Sequence, residues 1–300
     1  MSKTVKIRKG ANINLVGIAE CKTVQADLPK TFAIKPTEFH GIVPKMMLKE
    51  GAEVKVGTPI FHDKKNEHIK YVSPTAGVIT EIVRGAKRKI LEIRIQTASN
   101  QESEIIAKVD VNSIDRAKAL EFLMNAGLWC FIKKRPYDIV ADPMETPKAI
   151  FISGFDSAPL GVSYDYLLEG QEQNVQTGID LVAKLTKGKV HFNINAGDSS
   201  FLSKLKNVEI NRFDGPHPAG NVGIQIHHLD PINKGEVVWV INPQSVAIIG
   251  RLVNTGVSDF SKKIALVGSE VKEPCYINTW AGAAVSSIIN GHVKDGDNRI

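Results

Sequence analysis

EGAEVKVGTPIFHDKKNEHIKYVSPTAGVI, residues 50–79, is the stretch whose reading decides the N-terminal fold. Glycines at Gly51 and Gly57 suit tight turns that need positive φ. Pro59 and Pro74 fall where strands would start, so the missing N–H costs little. Between the turns lie short β-rich runs: Val54, Val56 and Ile60, then Ile69 and Tyr71, then Val78 and Ile82. Working outward, Thr31–Ile34 and Leu91–Ile95 continue this text. Leu91, Ile93 and Ile95 alternate with Glu92, Arg94 and Gln96, one face buried and one wet. Residues 1–98 therefore read as one barrel-like domain, and the polar stretch Thr97–Ser103 reads as a linker.

The order and spacing in residues 50–79 resemble the biotinyl/lipoyl carrier domain, a barrel of two interlocked hairpin sets. Carriers of that kind bear a modified lysine in a Met-Lys-Met or Asp-Lys-Ala hairpin. The equivalent here is His62-Asp63-Lys64-Lys65-Asn66-Glu67-His68, whose distance to Pro74 differs by a couple of residues. The expectation is a charged, solvated hairpin tip without a modified lysine.

Three hundred residues suit two or three domains. A hydrophobic share of 43% with 23% charged residues is ordinary for a globular chain, and the net charge of +6 is mild. Basic residues gather locally at Arg84–Lys89 and at Lys133-Lys134-Arg135, runs suited to phosphate, lipid headgroups, an acidic partner or plain solvent. Few aromatics accompany them, so nucleic acid is not an expected partner. Cys21, Cys130 and Cys275 are scattered and offer no metal spacing. Met1–Lys6 lacks the apolar core of a secretory signal, and runs such as Val237–Ile241 are too short to span a bilayer.

From residue 104 the text alternates strands and helices. Asp115 N-caps a helix that Gly127 stops. Ala149–Ile152 is a continuous apolar strand ending at Ser153-Gly154. Tyr164–Leu185 carries a helical stripe. Val190–Ile194, Val208–Phe213 and Val237–Ile241 read as strands, and Pro243 opens another helix. Residues 104–256 are thus predicted to form a Rossmann-like, doubly wound domain. Residues 260–300 begin a small α+β unit of β-grasp-like, soluble-ligand-binding type. Strands are expected at Ile264–Val267 and Pro274–Ile277, then a helix over Trp280–Ile289. The chain stops where another strand is expected to begin, and the expectation is a fragment of a longer protein. The fold class expected is a multidomain α+β / α/β chain.

The oddest words are Phe213-Asp214-Gly215-Pro216-His217-Pro218-Ala219-Gly220, with Gly223 and Ile226-His227-His228 behind. Prolines on both sides fix the backbone around His217. This loop after a strand is either a ligand- or partner-contacting loop or a rigid connector. His227 and His228, read as strand residues, would face opposite ways and could not share a metal. Phosphate loops, nucleophile elbows and catalytic triads are absent from the spacing, and no catalytic residue or metal site is expected.

Taken together, EGAEVKVGTPIFHDKKN, SPTAGVITEIVRGAKR, GLWCFIKKRPY (Gly127–Tyr137) and FDGPHPAGNVGIQIHHL resemble the A-subunit family of the bacterial sodium-translocating NADH:quinone oxidoreductase over essentially the whole chain. The flavin-binding component of complex I is a more distant likeness. It carries G-x-G-G-A-G-F-P where this chain has Asn125–Pro136, with bulky Leu128, Trp129 and Phe131. The resemblance implies a peripheral subunit on the cytoplasmic side of the bacterial inner membrane, not catalytic in isolation. It implies no cofactor on this chain: flavins, an iron–sulfur centre and NADH belong to partner subunits, among them the integral quinone-site subunit. Ubiquinone contact is the one ligand role expected here, through Phe213, Asp214 and His217 or through Trp129 and Arg135. The rival readings are a lipoyl- or biotin-type carrier and a flavin-binding dehydrogenase subunit.

Overall fold

A computed structural model describes residues 3–300. Among them the helices are α1 (Arg116–Asn125), α2 (Tyr164–Leu167), α3 (Glu172–Ala183), α4 (Val222–Leu229), α5 (Pro243–Thr255) and α6 (Val285–Ile289).

Two antiparallel sheets make the barrel-sandwich part. One runs in the order Thr31–Ile34, Ile90–Thr97, Gly77–Arg84, Glu53–Val54, and the other Pro44–Met46, Pro59–Asp63, Asn66–Val72. Gly51 and Gly57 take φ of 84° and 96°, values that L side chains resist, which is why glycine stands at both turns. Ile60, Phe61, Ile79, Ile93 and Ile95 fill the interior. Lys64 and Lys65 form the hairpin tip beyond the Asp63–Asn66 pair. Asp63 is buried beneath it, and its Oδ1 accepts from the Val43 and Lys65 amides at 3.0 and 3.2 Å. The Lys65 ammonium donates to the Gly41 carbonyl, so the tip is tied to the flanking segment.

The second sheet system has seven strands: Thr4–Lys6, Glu209–Asp214, Lys189–Asn195, Ala149–Ser153, Val238–Val240, Lys133–Arg135 and Ile139–Val140. The first five run parallel, Lys133–Arg135 runs against them, and Ile139–Val140 pairs antiparallel with Lys133–Arg135. Ala149–Ile152 is fully buried because both faces are covered. Ile150 and Ile152 pack with α3 and α5, whereas Ala149 and Phe151 pack against Ile226 of α4. Asp115 caps α1 through the Lys118 amide, and Asn242 caps α5 ahead of Pro243. The third sheet pairs Ser261–Leu266 with Cys275–Trp280 and then with Thr23–Gln25.

Several expectations change. Residues 1–98 do not all serve the barrel: Thr4–Lys6 extends the seven-stranded sheet and Thr23–Gln25 edges the third, while Met1 and Ser2 lie outside the described residues. Strand pairing over such separations has no local signature. His227 and His228 sit in the last turn of α4, not on a strand, with rings 5.1 Å apart. Tyr164–Leu185 is two helices separated by Gly170 at φ 76°. Trp280 ends a strand, and the helix after it is only Val285–Ile289.

α3 and α5 pack backbone to backbone in the second domain. Gly178 and Gly250 meet the facing backbone: a Cβ at Gly250 would collide with the Asn174 carbonyl, and one at Gly178 with the Val246 carbonyl. Gly250→Ala is expected to destabilise the protein by about 1–3 kcal/mol through overpacking, read from urea unfolding. An unchanged midpoint would show that the helices separate freely.

Candidate functional site

The parallel strands set the site. The chain leaves Ala149–Ser153 toward one side of the sheet and returns on the other at Val238–Val240. Open α/β sheets bind ligands at the carboxyl ends of such a switch. A cleft of about 940 Å³ lies there, walled by Ser153 and Asp156 after one strand, Asn242 after the other, and the Gly220–Ile224 segment that starts α4. Asn221 precedes α4 without a side-chain cap bond, so that helix start faces the cleft open. Gly223 has free space where a side chain would stand. Lys133 and Arg135 line the opposite wall and share Asp138, at 3.8 and 3.5 Å.

The cleft continues into a smaller pocket of about 160 Å³ toward the barrel, with Glu38, Phe39, Cys130 and Phe131 lining both. This pocket is mostly apolar and reaches Tyr71, Val72 and Phe260. Tyr71 is only 2% exposed, stacks on Phe61 at 4.5 Å and tilts against Phe39 at 4.7 Å. Its hydroxyl has no hydrogen-bond partner among the described residues. Burial holds that phenol well above its ordinary range, so it remains a donor. Burial likewise pushes the Cys130 thiol up to about 12, and its sulfur rests 3.4 Å from the Gly127 carbonyl.

A chain of buried amides positions the cleft rim. The His191 ring Nδ1 meets the Asn211 amide at 3.2 Å, Asn211 donates to Asn193 at 3.0 Å, and Asn193 donates to Gln225 at 2.9 Å. Gln225 then donates to the Ser153 hydroxyl at 2.9 Å, and that hydroxyl donates to the Gly220 carbonyl at 3.0 Å. Strand ends, α4 and its preceding loop are thereby locked together. His191 is buried, and burial lowers its pKa below 6.5 despite Glu209 at 3.7 Å and the charge of Asp230; Lys189 and Lys3 push the same way as burial.

Of the quinone-contact residues expected from sequence, only Arg135 borders the cleft. Trp129 is fully buried, edge-on to Trp239 at 5.3 Å, with its indole N–H on the Ala141 carbonyl. Phe213 is equally buried, against Ile7 and Ala219. Asp214 is exposed beside Lys6 at 3.8 Å. His217 is pinned by the Ser157 hydroxyl at 3.1 Å and by Asn12 at 3.0 Å, and does not line the cleft. Sequence reasoning missed Tyr71, Cys130 and Phe131 as one group. The available signal was the switch-point rule applied to Ser153. Among the described residues no group of three His, Cys, Asp or Glu could hold a metal ion, and no helix is long and apolar enough to cross a membrane.

A barrel-sandwich hybrid ahead of a parallel α/β domain with an open switch-point cleft and a small mixed sheet defines a multidomain protein of the mixed α and β class. Comparison with known proteins resolves the family. Residues 5–98 match the NqrA N-terminal barrel-sandwich hybrid domain, 114–258 the NqrA second alpha/beta domain, and 263–300 the NQRA C-terminal domain. The A-subunit of the Na(+)-translocating NADH-quinone reductase of Marinomonas sp. (strain MWYL1) is 34% identical over 98% of this chain and 66% of its own length. The protein of the same name from Yersinia pseudotuberculosis serotype O:1b (strain IP 31758) is 33% identical over 99% and 67%. That from Pasteurella multocida (strain Pm70) is 32% identical over 99% and 67%. The chain belongs to the NqrA family, the A-subunits of Na(+)-translocating NADH-quinone reductases, and it spans about two thirds of the length of these relatives.

The geometry has two measurable outcomes. Tyr71→Phe removes an unpaired buried hydroxyl, so the unliganded protein should gain up to about 1 kcal/mol in denaturant unfolding; a loss of that size would reveal a partner for the hydroxyl. His191 has a folded-state pKa below its unfolded value, so its contribution to stability is full above 6.5 and is lost as pH falls below it. Unfolding free energy should therefore drop between about pH 7.5 and 5.5, less steeply in His191→Gln; equal slopes would remove His191 as the cause.

Proposed function

We propose that this chain acts as the peripheral, cytoplasm-facing component of a membrane-bound sodium-pumping NADH:quinone oxidoreductase, and that its cleft and inner pocket seat a quinone headgroup. The family assignment supports the first half. The apolar pocket lined by Tyr71, whose buried hydroxyl has no partner among the described residues, carries the second. A quinone needs an apolar slot with one or two donors for its carbonyl oxygens. Phe39 and Phe131 supply flat walls, Tyr71 supplies a donor, and the wider cleft with Arg135 and Lys133 accommodates the polar edge of the ring. This seat replaces the Phe213/His217 and Trp129 placements.

In this reading the chain brings scaffold and quinone contact, and flavins, the iron–sulfur centre and NADH sit on partner subunits. Phe131 on the cleft wall, where flavin-carrying relatives of complex I keep glycine, supports that division. Lys64 and Lys65 at the hairpin tip keep the carrier reading in view. Intact mass from the native host separates the two, since a lipoyl or biotinyl adduct would favour the carrier.

In the assembled complex, a photoreactive quinone analogue should label peptides carrying Phe39, Tyr71 or Phe131. Tyr71→Phe should raise the quinone KM by up to about tenfold, the equivalent of one hydrogen bond. Labelling confined to membrane subunits would refute the seat. Failure of a tag on this chain to capture flavin-bearing membrane partners would refute the assembly role.

A further inference from the structure

The chain from Ile7 to Lys22 belongs to no helix or strand, yet it is firmly held. Ile7 is buried with Phe213 and Ala219, and Ala19 packs on the main core. Between these anchors the Ala11 amide donates to the His217 carbonyl at 3.0 Å, and the Gly17 carbonyl accepts from the Gly268 amide at 2.9 Å. Gly10 and Gly17 pass so close to facing backbone that a Cβ would fall 2.0 Å from the His217 oxygen and 2.2 Å from the Gly268 oxygen. The segment is therefore moored on the loop after Glu209–Asp214 at one end and on the loop after Ser261–Leu266 at the other.

What this moored segment presents outward is aliphatic. Ile13, Leu15, Val16 and Ile18 are 62%, 55%, 71% and 65% exposed. Among the described residues no other six-residue window holds more than two exposed large apolar side chains. Four such side chains held toward water in one short span mark a contact surface. Arg8 and Lys9 stand exposed just ahead of them, with no carboxylate partner among the described residues. Lys6 and Lys22 flank the span and are answered by Asp214 at 3.8 Å and Glu273 at 3.0 Å. Glu20 is the one carboxylate between Ile7 and Lys22. The surface thus joins an apolar patch to unanswered positive charge.

We propose that this segment docks the chain onto an anionic lipid surface, an inference that rests on the peripheral-membrane part of the reading above. The aliphatic side chains reach the acyl boundary, and Arg8 and Lys9 meet headgroup phosphates. The amides of Ile13–Val16 have no acceptor among the described residues, so the backbone stays at headgroup depth, where water answers them. Charge complementarity favours this occupant. An apolar groove on a protein would answer the aliphatic side chains and leave the cations as they are. A second copy related by a two-fold axis would bring two sets of the same cations to one seam. Flotation of the isolated chain reports on lipid contact, and tag capture of flavin-bearing partners reports on the assembly role, so either fails alone.

The test is flotation of the 300-residue chain with vesicles of phosphatidylcholine, alone or with about 30% phosphatidylglycerol. The chain should float with the anionic vesicles, and less so as salt is raised. Apparent affinity should fall about tenfold when Arg8→Gln and Lys9→Gln are combined. It should fall by about the same factor when Leu15→Ser and Val16→Ser are combined. Met144→Ser alters a side chain just as exposed, beyond the opposite edge of the seven-stranded sheet, and should change nothing. Absence of flotation with anionic vesicles, equal flotation with neutral ones, or indifference to the Leu15/Val16 pair would overturn the proposal. So would a dimer in sedimentation velocity that the same pair dissolves, which assigns the surface to a second copy. A photocrosslinker at Val16 that captures a protein subunit rather than lipid in the assembled complex would overturn it as well. All five substituted side chains are exposed, and unchanged melting temperatures of the variants guard against loss of fold.

Discussion

The hydrogen-bonded row from His191 through Asn211, Asn193 and Gln225 to Ser153 is the constraint on which the second domain depends. Four buried amide and imidazole groups lie across two parallel strands and one helix, each bonded to the next, while the His191 Nε2 is left without a partner among the described residues. A buried network of this kind tolerates no slip: moving a strand by one residue would turn its polar side chains to the other face. The row therefore fixes strand register and also fixes the loop and helix start that border the cleft. Core packing and site geometry have one cause here.

The cleft is built from main chain more than from reactive side chains. Strand ends and an open helix start surround it, and the titratable groups nearby are mostly paired. Among the described residues lining the inner pocket, the Tyr71 phenol, which belongs to the barrel, is buried without a hydrogen-bond partner. The inner pocket thus lies between two parts of the chain.

Features governed by neighbours in sequence were legible in advance. Turn glycines Gly51 and Gly57, the Asp115 cap and the Asn242–Pro243 helix start each follow from a few adjacent residues, and each stands where the spacing places it. The apolar run Ala149–Ile152 also announced itself, since a strand covered on both faces needs no alternation. What could not be read was anything decided by distant partners. The segment Ile224–Leu229 has strand-like apolar content, yet Gln225 is drawn inward by Asn193 and the segment coils into a helix. Trp129 and Phe213 looked available to a ligand, but nothing in their local sequence reveals that both would be sealed into the core. Tyr71 looked like an ordinary barrel residue, and its unpaired hydroxyl emerges only once Phe39 and Phe131 are folded around it.

The segment ahead of the barrel straps the molecule together, through Thr4–Lys6 on one sheet and Thr23–Gln25 on another. Their partners, Glu209–Asp214 and Cys275–Trp280, leave the ribosome long after them, with the whole barrel made in between. Two sheet edges must therefore wait, open, while the barrel between them can close early. The nascent polypeptide carries its opening segment as unpaired strands through much of synthesis, and the arrival of late strands decides when the early ones find their place.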